Sequence, residues 1–312
     1  MWLLLSLFAV QQAFFAVNQP TRTAILPRLL PSDQLAAANS LSMTIFQFGA
    51  IAGPLLAGIL IPAIGLANLY LIDSIALLAT LWAVFKLPAL PPTGSVRRAG
   101  LREVLDGFAY LATQRVLLAS FVVDIIAMVF GMPRALFPQM AHDSFGDPVE
   151  GGLALGLLYA AMAVGGLLGG VFSGWVSRVR RHGVAVLAAV LVWGLAIIGF
   201  GAAVALANGR VDVVFWLAFI ALVIGGAADM VSAAFRTSML QTAASDEVRG
   251  RLQGVFLVVV AGGPRIADVI HGAGATAIGA ATTAWLGGVC VVIGVVLVGL
   301  LVPSFRRYRL AA

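Results

Sequence analysis

The stretch RTAILPRLLPSDQLAAANSLSMTIFQFGAIAGPLLAG, residues 22–58, occurs in outline a second time. Its opening RTAIL (22–26), its SDQL (32–35) and the Gly-Pro of GAIAGPLLAG (49–58) return as RTSML (236–240), SDEV (245–248) and GGP (262–264), in the same order. The arginines, 22 and 236, stand 214 residues apart, and the prolines, 54 and 264, stand 210 apart. Three matches that keep their order and nearly their spacing are not chance similarity between Ala-rich loops. A polar turn leading into an apolar helix broken by Gly-Pro has been used twice. Paired, interrupted apolar segments in matching positions of two halves point to a transport protein.

Composition places the chain in a bilayer. Hydrophobic residues make up 61%, charged residues 10%, and the mean hydropathy is +1.04. A soluble domain carries about 25% charged residues. The single cysteine, Cys290, lies in an apolar run and excludes a disulfide framework or a thiolate metal site. The net charge of +6 comes from arginines and one lysine, Lys86. Their placement in loops argues for lipid headgroups and topology, not nucleic acid.

Nine apolar segments follow in order, at about 2–17, 39–61, 67–85, 116–140, 152–176, 184–205, 213–234, 255–278 and 283–302. A crossing needs about 20 residues at 1.5 Å each, and eight segments are long enough. The first is short and lacks the basic start and A-x-A site of a signal peptide; it reads as a helix whose beginning is missing.

Orientation follows from the arginines, because cytoplasmic loops collect Lys and Arg. One alternate set of loops holds Arg22 and Arg28, then Lys86, Arg97, Arg98 and Arg102, then Arg178, Arg180 and Arg181, then Arg236, Arg249 and Arg251, with Arg306, Arg307 and Arg309 in the tail. The other set is nearly free of basic residues, and 142–150 carries Asp143, Asp147 and Glu150. The first set and the C-terminus are predicted to be cytoplasmic. Residues 87–115 form the longest loop: a Pro-rich basic linker, then an amphipathic helix with Leu101, Val104, Leu105, Phe108 and Leu111 on one face. Such a helix lies at the interface or extends the next span. Three spans precede this loop and six follow it.

Ionisable residues inside spans need a reason, since each costs roughly 2.5–3.5 kcal/mol at a helix centre. Asp124 and Arg134 lie in the fourth segment, Asp229 in the seventh, and Arg265 and Asp268 in the eighth. Arg265 and Asp268 are three apart and able to pair. Asp229 and Arg236 are two turns apart near the cytoplasmic end, which suits a structural role. Asp124, about 12 Å into its span, is either a proton carrier or the partner of Arg265 in a salt bridge. Gly49, Gly53 and Ala57 make a flat stripe on one helix, as do Gly166, Gly170 and Gly174, with Gly165, Gly169 and Ser173 one residue over. Such stripes let helices approach closely in lipid, and Pro54 bends its helix.

Enzymatic chemistry finds no support. The chain has no G-x-x-x-x-G-K-[ST] loop and no HExxH, and His142, His182 and His271 are scattered. No metal or cofactor is implied.

On these residues the chain resembles the major facilitator superfamily, in its enterobactin-exporter-like branch. GAIAGPLLAG is similar to the antiporter signature Gly-x-x-x-Gly-Pro-x-x-Gly-Gly, carried here by Gly49, Gly53, Pro54 and Gly58, with Ala57 in place of a glycine. RTAILPRLLP, RTSMLQTAASDEVRGRLQG and GMPRALFPQMA (131–141) resemble loops of that branch. GWVSRVRRHG (174–183) is a degenerate form of Gly-x-x-x-Asp-Arg-x-Gly-Arg-Arg, with Ser177 where Asp is expected. The resemblance implies an all-α integral membrane helical bundle of about nine transmembrane helices, the family's fourth to twelfth. Residues 1–86 would be the remnant of an N-terminal six-helix half, 87–115 the cytoplasmic linker and 116–312 the C-terminal half. It implies a proton-coupled exporter of siderophores, drugs or similar amphipathic small molecules in the plasma (inner) membrane. Asp124, Arg134, Arg265 and Asp268 would be coupling or cavity residues. Arg22, Arg178, Asp229, Arg236, Asp246 and Arg249 would belong to cytoplasmic gating loops. The implied partners are a small-molecule substrate, the lipid bilayer and the missing N-terminal spans of a longer chain. The alternative is a truncated, non-transporting membrane remnant or scaffold.

Overall fold

The computed structural model describes residues 3, 6–14, 25, 29–31, 34–88, 101–243 and 246–309. Among these, every regular element is helical. The elements are α1 (Leu35–Phe85), α2 (Leu101–Thr113), α3 (Arg115–Gly131), a 3-10 turn (Pro133–Leu136), α4 (Phe137–Asp143) and α5 (Leu153–Val171). A second 3-10 turn (Ser173–Arg178) is followed by α6 (His182–Ala205), α7 (Val213–Ala243), α8 (Asp246–Ile278), α9 (Ala280–Leu301) and α10 (Pro303–Arg306). Helix is what lipid demands, because hydrocarbon offers backbone groups no partner outside their own segment. Seven helices among the described residues are long and apolar enough to cross a bilayer. The first of them, Thr44–Phe85, runs for 42 residues, about 63 Å at 1.5 Å per residue and so twice the hydrocarbon thickness. It is broken at Gly65, whose backbone is non-helical (φ 77°, ψ 158°), and thus supplies two of the nine predicted spans. Of the first predicted segment, residues 6–14 are helical.

The internal repeat extends into backbone conformation. Gly279, between α8 and α9, has nearly the same angles as Gly65 (φ 87°, ψ 154°). Residues 65 and 279 stand 214 apart, as the two arginines do, within AIGLAN (63–68) and AIGAAT (277–282). Only glycine adopts this region without strain. A polar side chain donates to a carbonyl at the break in both copies: Asn68 Nδ2 to Ile64 O at 2.7 Å, and Thr283 Oγ1 to Gly279 O at 2.7 Å.

Two compact units are distinguished, residues 1–49 with 77–96 and residues 50–76 with 97–312. In the first, the described side chains are mostly apolar and exposed, Phe46, Phe48 and Trp82 among them. In the second, α7 packs against α5 and α6, α6 against α9, α9 against α3, and α3 against α8. Small residues set these crossings. A Cβ on Gly165 would strike the Val223 carbonyl, and one on Gly226 the Met162 carbonyl, so α5 and α7 meet backbone to backbone. The stripe through Gly165 and Gly169 is therefore a packing seam, whereas Gly174 meets nothing within 4 Å. The core centres on Phe137, Phe200 and Tyr159, which pack edge to face. A smaller cluster joins Leu111 of α2 to Phe121, Leu240, Leu252, Val255 and Val259. The amphipathic helix α2 thus docks through Leu111, while Leu105 and Phe108 of the same predicted face remain exposed.

The break after α3 follows from Pro133, which has no N–H to continue the ladder. The indole Nε1 of Trp193 on α6 donates to the Gly131 carbonyl at 3.0 Å. At the start of α5, Asp147 accepts from the backbone N–H groups of Ala154 (3.2 Å) and Leu155 (2.8 Å). These are N–H groups that a helix start leaves without partners.

Candidate functional site

Charged residues of the spans fall into two groups in the second unit, one buried and one exposed. The first joins α3 to α7. Asp124 on α3 is 2% exposed and forms an ion pair with Arg236 Nη1 on α7, itself 7% exposed. The other guanidinium nitrogen, Nη2, lies 3.8 Å from Asp229 Oδ1; Asp229 is 38% exposed. Asp229 and Arg236 share a face because seven residues make two helical turns. Asp124 reaches the same guanidinium from the helix opposite. Ser120, Phe121, Leu240 and Phe256 line the cleft around the pair. One cation thus stands between two carboxylates, one sealed and one partly open.

The proposed bridge from Asp124 to Arg265 is not formed. Helical geometry alone could not say which arginine faced Asp124; the packing of α3 on α7 puts Arg236 there. Arg265 instead pairs with Asp268 on α8 at 3.7 Å, and both are well exposed, 55% and 40%. They belong to the second group. Tyr159 of α5 donates from its hydroxyl to the Arg134 carbonyl at 3.3 Å and lies within electrostatic reach of the Arg134 and Asp268 charges. Arg134, in the Pro133–Leu136 turn, is exposed. Arg134, Tyr159, Arg265 and Asp268 thereby make a polar, net cationic patch from three elements. Tyr159 was missed in the sequence. Its only signal there is a phenol inside an otherwise apolar span.

The Gly-Pro segment divides by residue. A Cβ on Gly58 would lie 2.6 Å from Gly152 O and 3.2 Å from Gly156 Cα, and a Cβ on Gly156 would lie 3.3 Å from Gly58 Cα. Here α1 crosses the start of α5 with glycine on glycine. Gly49 and Gly53 meet nothing within 4 Å. In the repeat copy, Gly263, beside Pro264, packs on the Met128 side chain of α3.

Of the predicted gating residues, Arg178 is exposed in its 3-10 turn. Asp246 and Arg249 are described by backbone only, in α8, and Arg22 lies outside the described residues. The histidines have separate surroundings. His182 packs edge-on against Phe235, His271 Nδ1 lies 2.9 Å from Ala267 O, and His142 Nδ1 lies 2.7 Å from Asp147 O.

Apolar helices of membrane length, an internal repeat and charge held between helices define a polytopic membrane transporter. The chain belongs to the Major Facilitator Superfamily, whose family model matches residues 1–267. Among curated proteins it is 30% identical to the enterobactin exporter EntS of Shigella boydii serotype 18 (strain CDC 3083-94 / BS512), over 97% of this chain and 70% of that protein. It is 29% identical, with the same coverage, to the enterobactin exporters EntS of Shigella boydii serotype 4 (strain Sb227) and Escherichia coli O81 (strain ED1a). The chain is therefore a multi-pass protein of the inner membrane that moves a small molecule, and not an enzyme.

Proposed function

We propose that the protein exports a siderophore or a similar amphipathic small molecule from the cytoplasm in exchange for protons. The carrying observation is the Asp124–Arg236–Asp229 group, in which one guanidinium serves two carboxylates. With all three ionised the group bears one negative charge in excess, which one proton neutralises. Protonation of Asp229 leaves Arg236 wholly to Asp124, and protonation of Asp124 releases it toward Asp229. Two such arrangements, each tied to a different packing of α3 against α7, make a switch that proton binding biases.

The substrate class draws on the relatives named as enterobactin exporters. It suits the exposed Arg134 and Arg265, with the half-buried Tyr159 hydroxyl beside them, which offer cations and a hydroxyl to an oxygen-rich acidic ligand. On this reading residues 1–86 belong to one half of the transporter, 87–115 to a cytoplasmic linker and 116–312 to the other half. The arginine-bearing loops and the C-terminus face the cytoplasm. Gly49 and Gly53 form the surface along which the halves move.

The test is siderophore retention in a strain deleted for the gene and complemented with wild-type, Asp124→Asn or Asp229→Asn protein at matched membrane levels. Wild type should restore export and collapse of the proton gradient should stop it. Asp124→Asn should abolish export, and Asp229→Asn should uncouple it from pH. Export that survives both substitutions would remove this group from coupling. No siderophore or drug export by the wild type would favour the scaffold reading.

A further inference from the structure

Away from the charged groups, α3 and the chain's last helices enclose a groove that the transport reading leaves unused. Arg115, Leu118, Ala119 and Val122 line one side. Their spacing puts them on one face of α3, over about 10 Å of helix. Val298 and Leu301 of α9 line the other side, and Ser304 of α10 closes the end beside Arg115. The groove is therefore apolar along the spans and polar only where they end.

The polar end is also strongly basic. Arg115, Arg306, Arg307 and Arg309 are all exposed, and neither 115–123 nor 298–309 contains an acidic residue. The helix that carries Arg306 and leads into Arg307 and Arg309 is held in place. Phe305, between Ser304 and Arg306, is fully buried. Its carbonyl lies where a Cβ on Gly183 would be, so α10 rests on the start of α6. A four-residue helix that would otherwise fray is thus pinned, with Ser304 in the lining of the groove and Arg306 two residues on.

We propose that this groove seats an anionic phospholipid, its phosphate among Arg115, Ser304, Arg306 and Arg307 and an acyl chain along Leu118, Val122, Val298 and Leu301. The occupant follows from charge complementarity. An apolar channel ends in exposed arginines where the apolar spans end, and anionic headgroups draw juxtamembrane arginines. The proposal needs only that this end of the chain lies at a bilayer face, and it is independent of what is transported.

Native mass spectrometry of the full chain, purified in detergent and offered phosphatidylglycerol or phosphatidylcholine, tests it. Phosphatidylglycerol should be retained in preference, and Arg115→Gln should cut its retention about fivefold, the ratio for one headgroup cation at the surface. Arg306→Gln with Arg307→Gln should act in the same direction. Leu118→Trp, which fills the groove and leaves every arginine in place, should lower retention of both lipids. Arg210→Gln, an exposed arginine on a different loop, should change nothing. Equal retention of the two lipids would overturn the proposal. So would wild-type retention in Leu118→Trp, or displacement of phosphatidylglycerol by millimolar inorganic phosphate.

Discussion

Arg236 is the residue on which the buried charges depend. With Asp124 2% exposed and Arg236 7% exposed, removal of one partner strands an ion in a low-dielectric interior, which costs roughly 3–5 kcal/mol. Replacing both by apolar residues of similar size removes both burial costs. Arg236→Ala should therefore lower thermal stability in detergent more than Arg236→Leu combined with Asp124→Leu, as a melting series would show. The same cycle at Arg265 and Asp268 should be nearly flat, because both are well exposed and exposed pairs contribute little. Trp193 makes a second case. Its indole is the hydrogen-bond donor to the Gly131 carbonyl at the break before Pro133. Trp193→Phe keeps most of the packing and orphans that carbonyl, and should cost about 1–3 kcal/mol. Melting of the single mutant beside wild type checks it.

At the scale of elements, the two halves of the Gly-Pro segment should separate experimentally. Gly58→Leu forces a side chain into the Gly152 carbonyl and Gly156 backbone, and overpacking of this kind costs about 1–3 kcal/mol or more. It should lower both thermal stability and export. At Gly53 a Cβ meets nothing within 4 Å, and Gly53→Leu should leave stability unchanged. If Gly53 lies on a moving surface, the same substitution should still reduce export. Stability and efflux measured on the same preparations distinguish the two, and a Gly53→Leu protein with normal efflux would reduce the motif to a packing contact. The element that joins α8 to α9 obeys a different rule: Gly279 is needed for its backbone angles, not for space.

For the whole molecule the governing quantity is the distribution of arginine between alternate loops. Single cysteines introduced in a Cys290→Ala background report it through labelling by a membrane-impermeant thiol reagent. Sites beside Arg98 and Arg180 should react only after the membrane is opened. A site beside Asp147 should react in intact cells, although Asp147 itself is buried as the cap of α5. Labelling beside Arg98 from outside would invert the topology. The internal repeat is a property of the same scale. Its two copies share a break at Gly65 and Gly279 and a Gly-Pro step, but not its surroundings: nothing lies within 4 Å of a Cβ on Gly53, whereas Gly263 meets Met128 of α3.

Composition and periodicity alone determined that the chain is a bundle of apolar helices in a bilayer, how it is punctuated and that one unit recurs. Those properties depend on runs of neighbouring residues, and lipid permits such runs only one backbone solution. The intramembrane charges were legible as a list, because each is conspicuous in an apolar span. Their partners were not. Asp124 is 112 residues from Arg236 and 141 from Arg265, and only the crossing of α3 with α7 chose between them. Tyr159, Trp193 and the capping role of Asp147 were equally hidden, since each acts on a backbone group of another segment. Helix is local, but which helix faces meet is set by where small residues let two backbones touch, and that is a property of pairs of segments that only the tertiary structure decided.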